Sequence, residues 1–273
     1  MSFLSSFGKV FGGVIFYFSL NILIFALVMT QFLKYDNVQP PFTSLIEKQM
    51  TENVTEEQLN STYRFLVESC KNSTSGLISA PLIDSKNIIF NCSEVAQMKP
   101  SDIPKVTAKN YFDEEIYFKK YNCNFIQCLI GSGDFKDKAL LFLNVRSYEF
   151  FNSLIIYCVI GIAISLIIII ISIRTWYGVS KNIGSNLLFT GVFFFILFFL
   201  REPIIQKLLD IPSSYQEAVK IVLGVFEYTA NILLIVFIIG IVLTVAGFVG
   251  DHFTKKSERK EETKKEEKKE EKK

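Results

Sequence analysis

The stretch FFNSLIIYCVIGIAISLIIIIISI, residues 150–173, contains no charged side chain and lies between Glu149 and Arg174. A helix rises about 1.5 Å per residue and the hydrocarbon core of a bilayer is about 30 Å thick, so about 20 apolar residues cross it. An unpaired charge at the bilayer centre costs about 2.5 to 3.5 kcal/mol even on the lenient insertion scale. The stretch therefore predicts a transmembrane helix.

Three other segments have the same character, because each is apolar, uncharged and long enough to span a bilayer. They are residues 10–33, 183–200 and 228–250. The first is longer than the core of a signal peptide, which is about 7 to 15 residues, and no clear small-x-small cleavage site follows it. We therefore expect an uncleaved signal-anchor and a four-helix transmembrane bundle.

The composition agrees with a membrane protein. Half of the 273 residues are hydrophobic and 21% are charged, so apolar and polar residues must be segregated into blocks. The formal net charge of +2 is too small to indicate nucleic-acid binding. His252 is the single histidine, which removes most histidine-based metal and acid–base chemistry. We expect no cofactor, no metal and no nucleic-acid partner.

The charged segments predict the orientation of the chain. The segment after the last span carries Lys255, Lys256 and Arg259, and basic residues are enriched on the cytoplasmic side of membrane proteins. Four crossings place both termini on that side, so we expect a multi-pass protein of the cell membrane. The predicted cytoplasmic parts are residues 1–9, 174–182 and 251–273, and the external parts are residues 34–149 and 201–227.

The C-terminal tail, residues 251–273, alternates lysine pairs with glutamate pairs toward its end. It has little apolar surface to bury, so it is predicted to be a disordered charged tail or a fraying single helix with favourable i, i+4 pairs.

Four of the five cysteines lie in the predicted extracytoplasmic domain, and Cys158 lies within the second span. An even number of cysteines in an oxidising compartment predicts two disulfides, with three pairings open. Free or catalytic thiols and a metal site are the alternatives. A metal site is disfavoured because no CxxC pair and no nearby histidine accompany the cysteines. The four candidates are Cys70, Cys92, Cys123 and Cys128.

The same domain contains four N-x-S/T sequons, which fit an exported glycoprotein. The candidate acceptors are Asn53, Asn60, Asn72 and Asn91.

Local patterns predict a mostly helical external domain. Thr55 and Gln58 form a candidate capping box for a helix that ends in Cys70. A second helix is expected to be capped by Asn110, and residues 88–90 form a strand-like run. The run ALLFLNV, residues 139–145, fits either a strand or the start of the helix that enters the membrane. In residues 201–227, the spacing of apolar residues predicts an amphipathic helix.

Asn21 is the deepest polar side chain in the predicted spans. A lone Asn commonly forms an interhelical hydrogen bond, although it also fits the lining of a substrate path. Gly8 with Gly12 and Gly240 with Thr244 form small-xxx-small pairs that favour close helix contact.

Enzyme signatures are missing from the sequence, which has no HExxH, no GxSxG, no P-loop and no glycine-rich dinucleotide loop. The acids Asp113 and Glu114 are interpreted as part of a solvated helix face. We therefore expect a protein that is not an enzyme.

The order of one span, a cysteine-bearing exported domain and three further spans, with RTWYGVSKNIGSNLLFTG at residues 174–191, resembles uncharacterised prokaryotic four-span membrane proteins. The resemblance implies a topology and transfers no functional residue. The fold class expected is mainly α, with a four-helix transmembrane bundle, a small disulfide-linked extracytoplasmic domain and a charged tail.

The function expected is recognition, sensing or scaffolding by the external domain, and the alternative is a channel or transporter subunit. Candidate partners are the lipid bilayer, an extracellular protein or small-molecule ligand, and a second copy of the chain.

Overall fold

The computed structural model describes residues 3–52, 54–83, 86–131, 134–173, 175–209 and 216–270. The chain forms two compact units. The first, the membrane unit, comprises Met1–Val28, Ser153–Ile204 and Phe226–Lys273, and the second, the cysteine unit, comprises Met29–Asn152 and Ile205–Val225. The structure is mainly α, as predicted.

Four helices of the described residues are long and apolar enough to cross a membrane, which confirms the prediction of four spans. They are α1 (Phe3–Leu33), α8 (Val145–Ser172), α9 (Trp176–Leu209) and α10 (Gln216–Glu270). Their apolar parts are Phe7–Leu33, Val145–Ser172, Trp176–Leu200 and Leu223–Thr254, with mean hydropathies of 2.2, 3.3, 2.2 and 3.1. The chain is therefore an integral membrane protein in contact with the lipid bilayer.

Helices α1 and α8 pack in antiparallel register through small residues. Gly8 lies against Ser172, and Gly161 lies against Ser19 at the other end of the contact. A Cβ atom at Gly12 would be 2.9 Å from Cγ1 of Ile169. The predicted pair of Gly8 and Gly12 thus faces α8, where a side chain would push the helices apart.

Helices α9 and α10 form a second antiparallel pair, joined by a glycine seam of Gly184, Gly191, Gly240 and Gly247. A Cβ atom at Gly184 would be 2.5 Å from the backbone nitrogen of Thr244, and one at Gly240 would be 2.7 Å from that of Leu188. The two glycines of each helix are seven residues apart, the repeat that keeps one seam facing a partner in a left-handed supercoil.

Six further α-helices of the described residues belong to the cysteine unit. The first five are α2 (Tyr35–Thr51), α3 (Glu56–Asn72), α4 (Cys92–Val95), α5 (Ile103–Tyr111) and α6 (Phe125–Ile130). The sixth is α7 (Phe135–Phe142), and the unit also contains a 3₁₀ turn at Pro100–Asp102 and a π-helical turn at Phe112–Tyr117.

The hairpin of the cysteine unit consists of β1 (Leu77–Ile83) and β2 (Lys86–Asn91), which pair antiparallel with Ile78 opposite Phe90. It packs on α3 in a core that includes Leu66, Ile88, Val95 and Ile103. Gly76, with φ of +70°, makes the turn from α3 into the hairpin, a conformation that a residue with a Cβ atom adopts at a cost. The predicted strand at residues 88–90 therefore lies within β2.

The capping box of α3 is confirmed. The backbone N–H of Gln58 donates to Oγ1 of Thr55 at 3.3 Å, and that of Thr55 donates to Oε1 of Gln58 at 2.9 Å. These bonds satisfy two amide groups that a helix start leaves without partners.

The prediction that Asn110 caps a helix is wrong, because Asn110 lies in the last turn of α5, which begins at Ile103. Pro104 supplies the fixed φ that suits a first helical turn. The side chain of Asn110 instead donates to the carbonyl oxygen of Ile89 at 2.9 Å. The residue that resembled a helix cap therefore joins α5 to the backbone of β2.

Residues 139–145 are helical through Phe142, and α8 begins at Val145 after a short turn. The strand alternative for this run is therefore wrong, and most of the run belongs to the separate helix α7, since the helix that enters the membrane starts only at Val145. In the segment predicted to hold an amphipathic helix, α9 continues through Pro203 to Leu209 and is not interrupted by a new helix start. Residues 210–215 of that segment lie outside the described residues.

The backbone of the charged tail is helical to Glu270 as the continuation of α10. This corresponds to the single-helix form of the two forms expected for the tail.

Candidate ligand site at the Cys123–Cys128 loop

The cysteine unit contains two disulfides, which correspond to one of the three pairings that the sequence left open. Cys70 bonds Cys92 across a sequence separation of 22 residues, and Cys123 bonds Cys128 across a separation of 5. The first joins the end of α3 to the end of the hairpin. The second closes a short loop that contains the start of α6. Cys158 is buried in α8 and is not part of a disulfide.

The short loop is shaped by a cap and an aromatic cluster. The backbone N–H of Gln127 donates to Oδ1 of Asn124 at 2.8 Å, which begins α6 directly after Cys123. The ring of Phe125 lies 5.5 Å from that of Phe142 and 4.8 Å from that of Phe150, measured between centroids. Phe125 therefore fixes α6 against α7 and the first turns of α8.

A buried asparagine holds the other side of the loop. Nδ2 of Asn144 donates to the carbonyl oxygens of Ile116 and Lys119, each at 2.9 Å, and its Oδ1 accepts from the backbone N–H of Arg146 at 3.0 Å. Arg146 in turn donates from Nη1 to the carbonyl oxygen of Cys123. Both ends of the segment from Lys119 to Cys123 are thereby fixed to the start of α8.

A cavity of about 330 Å³ opens beside this loop. The disulfide forms part of its wall together with Gln127, and Lys138 and Asp137 of α7 form another part. Lys119 and Tyr121 complete the polar lining, with Nζ of Lys119 lying 5.5 Å from the centroid of the Tyr121 ring.

The charged groups of the described lining have an excess of positive charge. Two ammonium groups, one carboxylate and an amide surround a volume in the range of about 300 to 1,000 Å³ that is typical of small-molecule sites. The ammonium groups supply donors and an excess of positive charge, and cation–π contact keeps Lys119 over the Tyr121 ring. A second cavity beside α3 has all its lining residues on that one helix, between Tyr63 and Asn72, so it is an open groove.

A second polar cluster lies near the end of α1. The Tyr35 hydroxyl donates to Oδ1 of Asp113 at 2.8 Å, and the Tyr117 hydroxyl donates to the carbonyl oxygen of Leu33 at 3.1 Å. Burial raises the pKa of Asp113, while the hydrogen bond from Tyr35 and the charge of Lys109 oppose that rise. Burial and the Asp113 contact raise the pKa of Tyr35 well above its ordinary value.

The interpretation of Asp113 as part of a solvated face is therefore incomplete, because its carboxylate is partly buried and bonded to a tyrosine. Glu114 is exposed, and burial raises the pKa of its carboxyl group while a hydrogen bond with the Ile89 backbone opposes that rise. Within the described parts of the chain, no group of three His, Cys, Asp or Glu side chains has the arrangement of a metal site.

The sequence-predicted sites are dispersed and do not form one centre. Asn60, Asn72 and Asn91 are exposed in the cysteine unit, and Asn53 lies outside the described residues. Oδ1 of Asn91 accepts from the backbone N–H of Ser93 at 3.0 Å and so caps α4. Glycosylation of these residues stays a prediction.

Asn21 lies in the membrane unit and makes the kind of bond expected of an interhelical asparagine. Its Nδ2 donates to Oγ1 of the buried Thr190 in α9 at 3.2 Å and to the carbonyl oxygen of Tyr17 at 2.7 Å. Asn186 and Asn182 lie four and eight residues before Thr190 on the same face of α9, and both are near Gly13 of α1. The contact between α1 and α9 thus contains a neutral polar strip.

Sequence reasoning missed Asn144, Arg146 and the cap of α6. The cap had a visible signal, since Asn124 and Gln127 have capping-box spacing directly after a cysteine. The bonds of Asn144 had no local signal, because its acceptors are 25 and 28 residues away in the chain.

No family model, no curated protein and no solved structure matches the chain. Its function must therefore be inferred from its own residues.

Proposed function

We propose that the protein is a non-enzymatic integral membrane protein whose residues 34–149 are exported and recognise a small anionic ligand. The cavity at the Cys123–Cys128 loop supports this most directly, because it places Lys119 and Lys138 around a space of about 330 Å³. The four spans anchor the domain, and the basic segment that follows the fourth span within α10 favours cytoplasmic termini.

Preorganisation supports a binding role for the cavity. A ligand that meets fixed walls does not have to pay for ordering them, so rigid sites bind more tightly than loose ones. The loop is fixed by the disulfide, by the Phe125 ring cluster and by the hydrogen bonds of Asn144.

The chemistry of the lining supports recognition more than catalysis. Asp137 is the carboxylate of the cavity, and a general acid–base pair needs two groups whose pKa values are set for opposite tasks. The single histidine of the chain lies in α10. We therefore propose a binding function and not a catalytic one.

The alternative function, a channel or transporter subunit, is favoured by the neutral polar strip of Asn21, Asn182, Asn186 and Thr190. Amide groups between spans can bind a polar solute where water is scarce. An Asn21→Leu variant in reconstituted vesicles tests whether the protein acts as a channel or transporter subunit through this strip. Unchanged flux and unchanged assembly would exclude a pore role for Asn21.

The binding proposal is tested with the full chain in lipid nanodiscs. A panel of inorganic phosphate, sugar phosphates and dicarboxylates is titrated while the melting temperature is followed, since a ligand that binds the folded state raises it. We expect at least one anion to stabilise the protein. We also expect Lys138→Gln to weaken its binding about tenfold, because a charge-assisted hydrogen bond contributes about 1.5 kcal/mol.

The matched control is Lys71→Gln, which removes one positive charge from α3 in the same unit. If neither variant changes the affinity, or if both weaken it equally, the anion does not bind at the Cys123–Cys128 loop. If no anion on the panel shifts the melting temperature, recognition of a small anion is refuted.

A further inference from the structure

Helix α6 presents three different surfaces. Phe125 is buried against Phe142 and Phe150, and Gln127 and Cys128 line the cavity. Ile126 and Ile130, four residues apart and therefore on one side of the helix, are 48% and 78% exposed. Two large aliphatic side chains thus form an exposed apolar face, and neither is among the described residues that line the cavity.

The position of this face is set by the start of the second span. Glu149 is the last charged residue before the apolar segment that begins at Phe150. The Phe125 ring lies 4.8 Å from that of Phe150 and 5.8 Å from that of Phe151, between centroids. Helix α6 therefore lies beside the first residues of α8 that are expected to enter the hydrocarbon core.

We propose that the Cys123–Cys128 loop is an interfacial membrane anchor, in which Ile126 and Ile130 insert into the external leaflet of the bilayer that α8 crosses. The occupant of this face is lipid because α6 packs through Phe125 on Phe150 and Phe151, the residues at which the apolar segment of α8 begins. Amphipathic helices bind at this depth by burying apolar side chains between the headgroups and the acyl chains.

The anchor has a consequence beyond ligand recognition. Cys128 lies on the opposite side of α6 from the isoleucines, because two residues advance a helix by about 200°, so insertion would turn the disulfide wall of the cavity away from the lipid and toward water. The disulfide and the Arg146 contact with Cys123 hold the loop in that arrangement. The anchor does not depend on which ligand, if any, enters the cavity.

Fluorescence quenching in the full chain tests the anchor. The single tryptophan is first removed by Trp176→Phe, and a reporter is then introduced by Ile130→Trp. The variant is reconstituted in phosphatidylcholine nanodiscs with or without lipids brominated near the carbonyl end of the acyl chain. The matched control is Phe65→Trp, since Phe65 is 52% exposed on α3, which packs on the hairpin and its core.

We expect the brominated lipid to quench the reporter at position 130 several times more strongly than the one at position 65, and aqueous iodide to show the reverse order. Equal quenching by brominated lipid at the two positions, or stronger iodide quenching at position 130, would overturn the anchor. The substitutions replace exposed side chains, so a folding defect is not expected. A maleimide assay for intact disulfides checks that point.

Discussion

Asn144 illustrates how one buried amide organises the proposed ligand site. It is fully buried and its side chain makes three hydrogen bonds: Nδ2 donates to two carbonyl oxygens, and Oδ1 caps α8. A buried polar side chain stabilises a fold only when its hydrogen bonds are made, because an unmade bond costs the desolvation of the group.

Replacement of Asn144 by Ala should be strongly destabilising. The change leaves the carbonyl oxygens of Ile116 and Lys119 without their donor and removes a cap, at a combined cost of about 2 to 3 kcal/mol. The melting temperature of the purified protein in detergent measures the effect. Asn122→Ala is the control, since Asn122 is exposed in the segment from Lys119 to Cys123 that Asn144 and Arg146 hold. Equal melting temperatures for the two variants would show that the buried bonds do not stabilise the fold.

The Tyr35–Asp113 pair predicts a pH dependence of stability. Burial raises the pKa of Asp113 in the folded state above its ordinary value of 3.8. The contribution of the protonated Asp113 carboxyl group to the stability of the folded state is therefore fully present below pH 3.8, and it is lost as the pH rises through the folded-state pKa. Asp113→Asn removes this loss, and the Asn oxygen can still accept from the Tyr35 hydroxyl.

The measurement is the melting temperature of native protein and of Asp113→Asn between about pH 3 and pH 7. We expect the variant to gain stability relative to the native protein as the pH rises. Glu68→Gln supplies the background for removing an exposed carboxylate. If the melting temperature of the native protein instead rose relative to that of Asp113→Asn with increasing pH, the pKa of Asp113 would not be raised in the folded state.

At the scale of elements, the helix pairs of the membrane unit are determined by where the glycines lie. Lipid is as apolar as leucine, so helices associate in a membrane through close packing and hydrogen bonds. The glycine seam lets α9 and α10 approach until backbone atoms touch, and Asn21 bonds α1 to α9.

Gly191→Ala should weaken the seam, because the added Cβ would be 2.6 Å from Cα of Phe237 and the helices would have to separate. Overpacking of this kind costs about 1 to 3 kcal/mol. Gly224→Ala is the matched change in α10, where nothing lies within 4 Å of the new atom. It should be neutral or stabilising by up to about 1 kcal/mol. Unfolding by dodecyl sulfate compares the two variants, and a greater loss from Gly224→Ala would refute the seam.

The two disulfides should differ in their contribution to stability. Loop-closure entropy grows with the length of the closed loop, so the Cys70–Cys92 bond, with a separation of 22 residues, should stabilise by roughly 3 kcal/mol. The Cys123–Cys128 bond, with a separation of 5 residues, should stabilise by roughly 2 kcal/mol. Replacing each pair by serines and comparing melting temperatures checks the order. A larger loss from the short loop would show that local strain or contacts outweigh loop entropy.

The elements that could be predicted from the sequence are those with a local or compositional cause. The spans follow from uncharged length, and the cap of α3 follows from Thr55 and Gln58. The start of α5 was missed because Asn110 resembled a cap, whereas its side chain bonds a strand 21 residues earlier in the chain. The disulfide pairing and the cavity depend on contacts between distant residues, and three pairings were equally compatible with the cysteine spacing.

At the scale of the whole molecule, the proposed topology places residues 34–149 and the basic tail on opposite sides of the membrane. The tail and the loop after α8 carry basic residues, and the disulfides belong to residues 34–149. Disulfides persist in oxidising compartments and are rare in the cytosol. Export of residues 34–149 is therefore the central claim, because neither ligand recognition nor the lipid anchor in the external leaflet is meaningful without it.

The most direct test labels intact cells with a membrane-impermeant maleimide, with and without an impermeant phosphine reductant. The chain carries Ser257→Cys as the internal control, since residue 257 lies beyond the fourth apolar segment, Leu223–Thr254. We predict no labelling of intact cells without reductant, labelling of the four loop cysteines after reduction, and labelling of position 257 only after permeabilisation. Labelling of position 257 in intact cells, or loop cysteines that stay unlabelled until the cells are permeabilised, would contradict the export of residues 34–149.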